Sequence, residues 1–321
     1  MPTTRVNTVL GPISSEDLGA TLTHEHLIAS AMGVEYDSTA HFDYENELLR
    51  AIGEMKRLKA AGITTIIDPI PMEIGRNVNF MADVAEKSGI NIICSTGIYH
   101  ETGSFAGYPT YFRIRTADEL AEIYTKEITQ GIGARKIKAG VIKCATSSGK
   151  VTDNEKKALQ AAARASKATG APITTHTTEG TMGPEQLEIF ESEGVNPQHV
   201  IIGHCSDNPN IAYHLKMLKR KAFLGFDRIG FEMHSTDEEK LGTLAGLVAL
   251  GYANQIVLSH DNVGCMHGPV SRAPRSPEYL KKRRYTYIIE DFIPSMKKAG
   301  VSEQAIKTML VDNPRHYFES N

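Results

Sequence analysis

Eight short apolar runs, most of them rich in isoleucine and valine, recur along the 321-residue chain with longer amphipathic stretches between them. They are Ala20 to Thr23, Ile63 to Asp68, Ile90 to Thr96, Ala139 to Lys143, Ala171 to His176, Val200 to His204, Ala222 to Asp227 and Gln255 to Asp261. Continuous apolar runs of this length mark strands buried on both faces, as in a parallel sheet covered by helices. Strand and helix alternating eight times predicts an α/β fold of the (β/α)8 type, a TIM barrel. In that architecture chemistry gathers at the C-terminal strand ends, and here those ends are polar.

The spacers support the strand count independently. Leu48, Ile52, Met55 and Leu58 recur at helical spacing and Gly62 follows as a helix terminator. Thr116 with Glu119, Thr152 with Glu155, and Thr236 with Glu239 have the form of capping boxes, which place three more helix starts. A barrel commonly takes ~250 residues, so the chain is expected to be one domain over 1–321, with the excess in loops and a C-terminal extension. A net charge of −3 offers no general attraction to nucleic acid or to an anionic membrane. No apolar run approaches the ~18 residues that span a bilayer, and Met1 to Asn7 lacks a signal-peptide core, so a cytoplasmic protein is expected. Cys94, Cys144, Cys205 and Cys265 form no C-x-x-C pair and read as small buried thiols.

Residues of metal-ligand type stand at the strand ends. His24 follows the first run and His26 lies two residues on, where both imidazoles can share one face of a strand. Alone, an H-x-H is as well explained by unrelated histidines. His176, His204 and Asp261, closing the fifth, sixth and eighth runs, point to the same place and favour one metal site. Lys143, closing the fourth run, cannot ligate as an ammonium ion. Burial beside positive charge would favour the neutral amine, which can take up carbon dioxide to form a carbamate, a carboxylate on a long arm. The competing reading is a lysine reaching out of the barrel mouth to solvent.

Thr23-His24-Glu25-His26, Gly140-Val141-Ile142-Lys143, Thr175-His176-Thr177, Gly203-His204 and Ser259-His260-Asp261 together resemble the phosphotriesterase family of the amidohydrolase superfamily, especially its phosphotriesterase-like lactonase branch. The resemblance runs from Gly11-Pro12 to Asn313-Pro314. It implies two divalent ions per chain, zinc first and otherwise iron, cobalt or manganese. His24, His26 and Asp261 would hold one and His176 and His204 the other, with carbamylated Lys143 and a hydroxide between them. It implies hydrolysis of a small-molecule lactone or ester by a homodimer. Asp261 would accept the proton of the attacking water. Asp227, ending the seventh run, is a candidate to relay that proton outward, or else a partner to its neighbour Arg228.

Gly97-Ile98-Tyr99 and Asp227-Arg228-Ile229-Gly230 resemble the lactonase branch, where the tyrosine and the arginine face the lactone. A phenol there can hydrogen-bond a lactone oxygen and a guanidinium can orient it. Their plainer readings are a buried loop aromatic and a partner to a nearby acid. The stretch from Asn262 to Tyr285 is expected to be a long functional lid. It carries Arg272, Arg275, Lys281, Lys282, Arg283 and Arg284 instead of an apolar trough, which argues against a long acyl chain. Lys281 to Arg284 read as a solvated helix face, while Arg272 or Arg275 could meet an anionic substrate group. No G-x-S-x-G, H-E-x-x-H or G-x-G-x-x-G occurs, so serine hydrolase, zincin and dinucleotide-binding readings lack support. The expectation is a binuclear metal-dependent lactonase, acting on acyl homoserine lactones or other γ/δ-lactones, with phosphotriesterase activity on the side. Alternatives are a dedicated phosphotriesterase, a phosphorylated sugar lactonase and a non-catalytic binding barrel.

Overall fold

The computed structural model describes residues 4–103, 107–268 and 276–320. Each apolar run forms one strand: β1 (Thr21–Leu22), β2 (Thr65–Asp68), β3 (Asn91–Gly97), β4 (Val141–Thr146), β5 (Ile173–Thr177), β6 (Val200–Ile202), β7 (Phe223–Phe226) and β8 (Ile256–Leu258). They lie in sequence order in one parallel eight-stranded sheet, nearly closed into a barrel and flanked by helices. The period-two geometry of a strand sorts the apolar side chains into two cores. Ile66, Ile92, Ile142, Ile202, Leu224 and Ile256 pack with the surrounding helices. Their chain neighbours Ile67, Ile93, Val141, Ile201, Phe223 and Val257 form a second cluster, filling the barrel interior together with Leu18, Tyr317 and Phe318. A strand apolar on both faces therefore shows no alternation in sequence, although alternation governs where each residue goes.

The helices begin and end as their punctuation dictates. Thr116, Thr152 and Thr236 each accept the backbone N–H three residues on, while Glu119, Glu155 and Glu239 reach back to the cap backbone, completing three capping boxes. Leu48, Ile52, Met55 and Leu58 are the buried face of the helix Tyr44–Ala60. Cys94, Cys144, Cys205 and Cys265 are buried free thiols. No helix among the described residues is long and apolar enough to cross a membrane.

The sheet leaves a seam between β1 and β8, which form no ladder among the described residues. Three backbone bonds cross it: Thr23 N–H to the Leu258 carbonyl (3.4 Å), Asp261 N–H to the His24 carbonyl (3.0 Å) and His26 N–H to the Asn262 carbonyl (2.7 Å). Above them a short strand, His26–Ser30, pairs in parallel with Val263–His267. This corrects one expectation. His24 and His26 do not share one strand, because β1 stops at Leu22 and His26 opens the next strand. Among the described residues, the stretch after β8 holds the strand Val263–His267 and the helix Pro277–Lys282. Arg272 and Arg275 lie outside the described residues.

Candidate metal centre

The strand ends bring the ligand-type side chains together above the barrel core. Val141 points inward, so Lys143, two residues further along β4, points inward as well, at the barrel mouth. His176 lies inside β5, whereas His204 and Asp261 come just after their strands in left-handed backbone conformations, with φ of 58° and 51°. Non-glycine residues adopt that region rarely and only when their surroundings hold them there. For His204 the holding group is Asp227, whose Oδ1 accepts both the His204 backbone N–H (2.7 Å) and its ring Nδ1–H (3.0 Å).

Distances within the cluster are short. His26 Nε2 is 3.2 Å and His24 Nε2 3.9 Å from Asp261 Oδ1, and His204 Nε2 is 3.9 Å from Asp261 Oδ2. Lys143 Nζ lies 3.0 Å from His24 Nε2, and the His176 and His204 rings are 4.4 Å apart, edge to face. The other ring nitrogens are fixed by carboxylates: His24 Nδ1 by Asp227 Oδ2 (3.0 Å) and His26 Nδ1 by Asp68 Oδ1 (3.1 Å). Carboxylates in this position orient an imidazole and raise its basicity toward a metal.

Burial shapes the charges. It pushes the Lys143 amine down to about 8 and lowers His24 and His176, while His204 falls to about 3 under burial and the charge of Arg228. Burial acts the same way on His26, but its bonds to Asp261 and Asp68 prevail and raise it to about 9. For Asp261 burial works upward, yet the charges of His204 and Arg228 and the bond from His26 hold it well below the usual carboxylate range. The neutral imidazoles of His24, His176 and His204 beside the ionised Asp261 make a donor set that fits a divalent cation, and His26 would give up its proton to ligate one. Ligand atoms of His24, His26 and Asp261 fall within 4.8 Å of one another, as do those of His24, His204 and Asp227. In the second group both Asp227 oxygens already serve Nδ1 atoms, which suits Asp227 to orienting the rings of His24 and His204.

Tyr99 and Arg228 stand on this cluster. Tyr99 Oη is 3.3 Å from His176 Nδ1, and its backbone N–H donates to Glu73 Oε1 (2.6 Å). Arg228 donates from Nε to Asp261 Oδ2 (2.9 Å) and from Nη1 to the buried Asp207 Oδ2 (2.5 Å). Gly97, with φ of 107°, turns the chain toward Tyr99, and a Cβ there would sit 1.9 Å from the Lys143 carbonyl oxygen.

Several supporting residues escaped the sequence reading. Asp68 ends β2, so the strand-end criterion already marked it; what was missing was its partner. Glu25, between the two histidines, accepts at Oε1 from Ser259 Oγ (2.7 Å), the His260 N–H (2.8 Å) and His260 Nδ1 (2.7 Å). Arg283 overturns the solvated-face expectation for its stretch: it donates to the carbonyls of His260 (2.9 Å) and Asp261 (2.5 Å), and its guanidinium lies 4.6 Å from the Phe231 ring centre. Lys282 and Arg284 pair with Glu232 and Glu290.

Comparison with known proteins agrees with this geometry. The model of the phosphotriesterase family matches residues 4–318. An aryldialkylphosphatase of Saccharolobus solfataricus is 34% identical over 307 residues, covering 95% of this chain and 96% of that one. A phospho-furanose lactonase of Mycoplasmopsis synoviae is 32% identical over 330 residues, covering 96% and 90%. The solved structure of an organophosphorus hydrolase from Deinococcus radiodurans superposes with a TM-score of 0.94 at 36% identity, covering 99% of this chain and 98% of the other.

Proposed function

Given that the chain belongs to the phosphotriesterase family, and so is a metal-dependent hydrolase, we propose that it is a lactonase with phosphotriesterase activity on the side. The observation that carries the lactonase reading is the placement of Tyr99 and Arg228, each in contact with a candidate ligand, Arg228 buried and Tyr99 half-buried. In this reading His24, His26 and Asp261 would hold one divalent ion and His176 and His204 another, zinc being the first candidate, and a carbamate on Lys143 would supply a further carboxylate to them. The lowered affinity of the buried Lys143 amine for its proton favours the nucleophilic form that takes up carbon dioxide.

When bound, such a pair of ions supplies an acidified water and a positive charge that polarises the bond under attack. The protein does the rest. Asp227 and Asp68 hold the imidazoles at Nδ1, which turns Nε2 of His24, His26 and His204 toward Asp261, where they would ligate. Asp261 accepts a proton at its carboxylate and returns it to the alkoxide of the opened ring, while the Arg228 bond keeps that carboxylate oriented. The Tyr99 hydroxyl donates to an oxygen of the lactone.

Metal-replete protein should open a γ-lactone faster, per kcat/KM, than it hydrolyses paraoxon. The reverse order would make it a dedicated phosphotriesterase. The phospho-furanose lactonase relative favours a second reading, a phosphorylated sugar lactone as substrate, and the same assay with a phosphorylated lactone addresses it.

A further inference from the structure

Lys240, on the helix Asp237–Ala249 beneath the loop that carries Arg228, is only 1% exposed. Lysine is almost never buried so fully unless its charge is paired, and an apolar side chain of similar volume would fill the space without that cost. Its head group is committed on every side. Nζ donates to the carbonyls of Arg228 (2.7 Å) and Phe231 (2.8 Å) and lies 3.7 Å from Asp237 Oδ1. Those two carbonyls are the ends of one β-turn, closed by the Phe231 N–H on the Arg228 carbonyl (3.0 Å), with Gly230 at a φ of 81° in its third position. Asp237 Oδ1 accepts the Gly230 N–H (2.9 Å). The first turn of the helix therefore grips the β-turn at both ends and in the middle.

Both ends of the β-turn carry side chains toward the candidate metal centre. Arg228 donates to Asp261 Oδ2 (2.9 Å), and the Phe231 ring lies 5.4 Å from the Arg228 guanidinium and 4.6 Å from that of Arg283. Asp207 holds the far end of the Arg228 side chain, and the Arg228 N–H makes a longer bond, to Ser206 Oγ (3.2 Å). Lys240 supplies what these do not: it fixes the carbonyl side of Arg228 and the position of Phe231 together. We propose that Lys240 is a positioning residue, setting the main chain from which Arg228 reaches Asp261 and so the orientation of the carboxylate that Arg228 holds. The proposal rests on the reading of Arg228 and Asp261 as parts of the lactonase site and extends it outward into the helix layer.

Methionine at this position would leave Asp237 its bonds from Gly230 and Tyr287, so Lys240→Met strands no carboxylate. The test compares metal-loaded wild type, Lys240→Met, Lys240→Gln, Arg228→Met and the double variant Lys240→Met/Arg228→Met on a γ-lactone, together with a crystal structure of Lys240→Met. A lost hydrogen bond of this kind is worth roughly tenfold in rate. The expected result is that Lys240→Met lowers kcat about tenfold with metal content and Tm near wild type, and that Lys240→Gln, which keeps one amide donor, recovers part of the loss. In the Arg228→Met background the same change should cost less than about twofold, because the residue through which it acts is gone. The crystal structure should show the Arg228 guanidinium displaced from Asp261 Oδ2. An equal loss in both backgrounds, or a guanidinium still bonded to Asp261 in the variant, would reduce Lys240 to a staple of the fold and overturn the proposal. Should Lys240→Met not fold, Lys240→Gln enters the same comparison in its place. If wild type opens no lactone, the lactonase reading fails, while the position of Arg228 in the variant structure still decides the role of Lys240.

Discussion

Asp227 grips His204 twice through one oxygen, taking the backbone N–H at 2.7 Å and the ring Nδ1–H at 3.0 Å, so a single carboxylate fixes both the left-handed backbone and the imidazole of that residue. Its other oxygen holds His24. Asp227→Asn would keep the shape but place an NH2 donor against one of these N–H groups. Removing an outer carboxylate of this kind typically costs 10- to 100-fold in metal affinity. Titration of chelator-stripped protein with zinc should show a loss of that size. Unchanged affinity would mean that packing alone orients the two histidines.

Lys143→Ala should lose bound metal and activity together if the lysine bridges as a carbamate. Short carboxylic acids added to the buffer, standing in for the missing carboxylate, should restore part of both. Elemental analysis of active wild type should find two divalent ions per chain. A crystal structure with an unmodified amine between two occupied metals would rule the bridge out.

Tyr99→Phe is the clean test of how the substrate is held. Loss of one neutral hydrogen bond, ~0.5–1.5 kcal/mol net, predicts up to roughly tenfold slower lactone opening, with a smaller loss on a phosphotriester. Arg228→Ala is less clean, because it leaves the buried Asp207 without its partner. Breaking such a buried pair costs ~3–5 kcal/mol in stability, so that variant should be judged by kinetics and melting temperature together. Equal losses of Tyr99→Phe on both substrates would show that the tyrosine only supports His176.

Gly97→Ala should damage fold and site at once. The new Cβ meets the Lys143 carbonyl oxygen at 1.9 Å, at a backbone angle that already disfavours side chains. Such strain costs on the order of 1–3 kcal/mol before the clash is counted. Calorimetry should find a melting temperature lower by several degrees. A variant that melts like wild type would show that β3 and β4 can part there without penalty.

The barrel was legible in the sequence because each buried strand is a compact apolar run ending in a polar residue, and the capping threonines mark helix starts locally. The same rule brings out the candidate metal cluster, since Lys143 and His176 are strand residues whose direction follows from their neighbours. It fell short where the chain leaves the strand. His204 and Asp261 aim at the site through left-handed turns that no periodicity encodes. Asp68 and Glu25 gain their meaning only from partners met in space, 42 and 235 positions away for His26 and His260. Arg283 looked like one charge of a solvated run because its targets are backbone carbonyls and an aromatic face, which composition does not reveal.

The seam between β1 and β8 gives the candidate centre a mechanical part to play. His24 and His26 lie on one side of that gap and Asp261 on the other, beside the few backbone bonds that bridge it. A cation held by all three would act as a rivet joining the first strand of the barrel to the last. Binding to the native state alone adds stability by mass action, on the order of 2.7 kcal/mol at a hundred times Kd. Removing the cation should therefore loosen the molecule first along this line, and amide hydrogens of Thr23, His26 and Asp261 should exchange sooner than those of β4 or β5, deep in the closed part of the sheet.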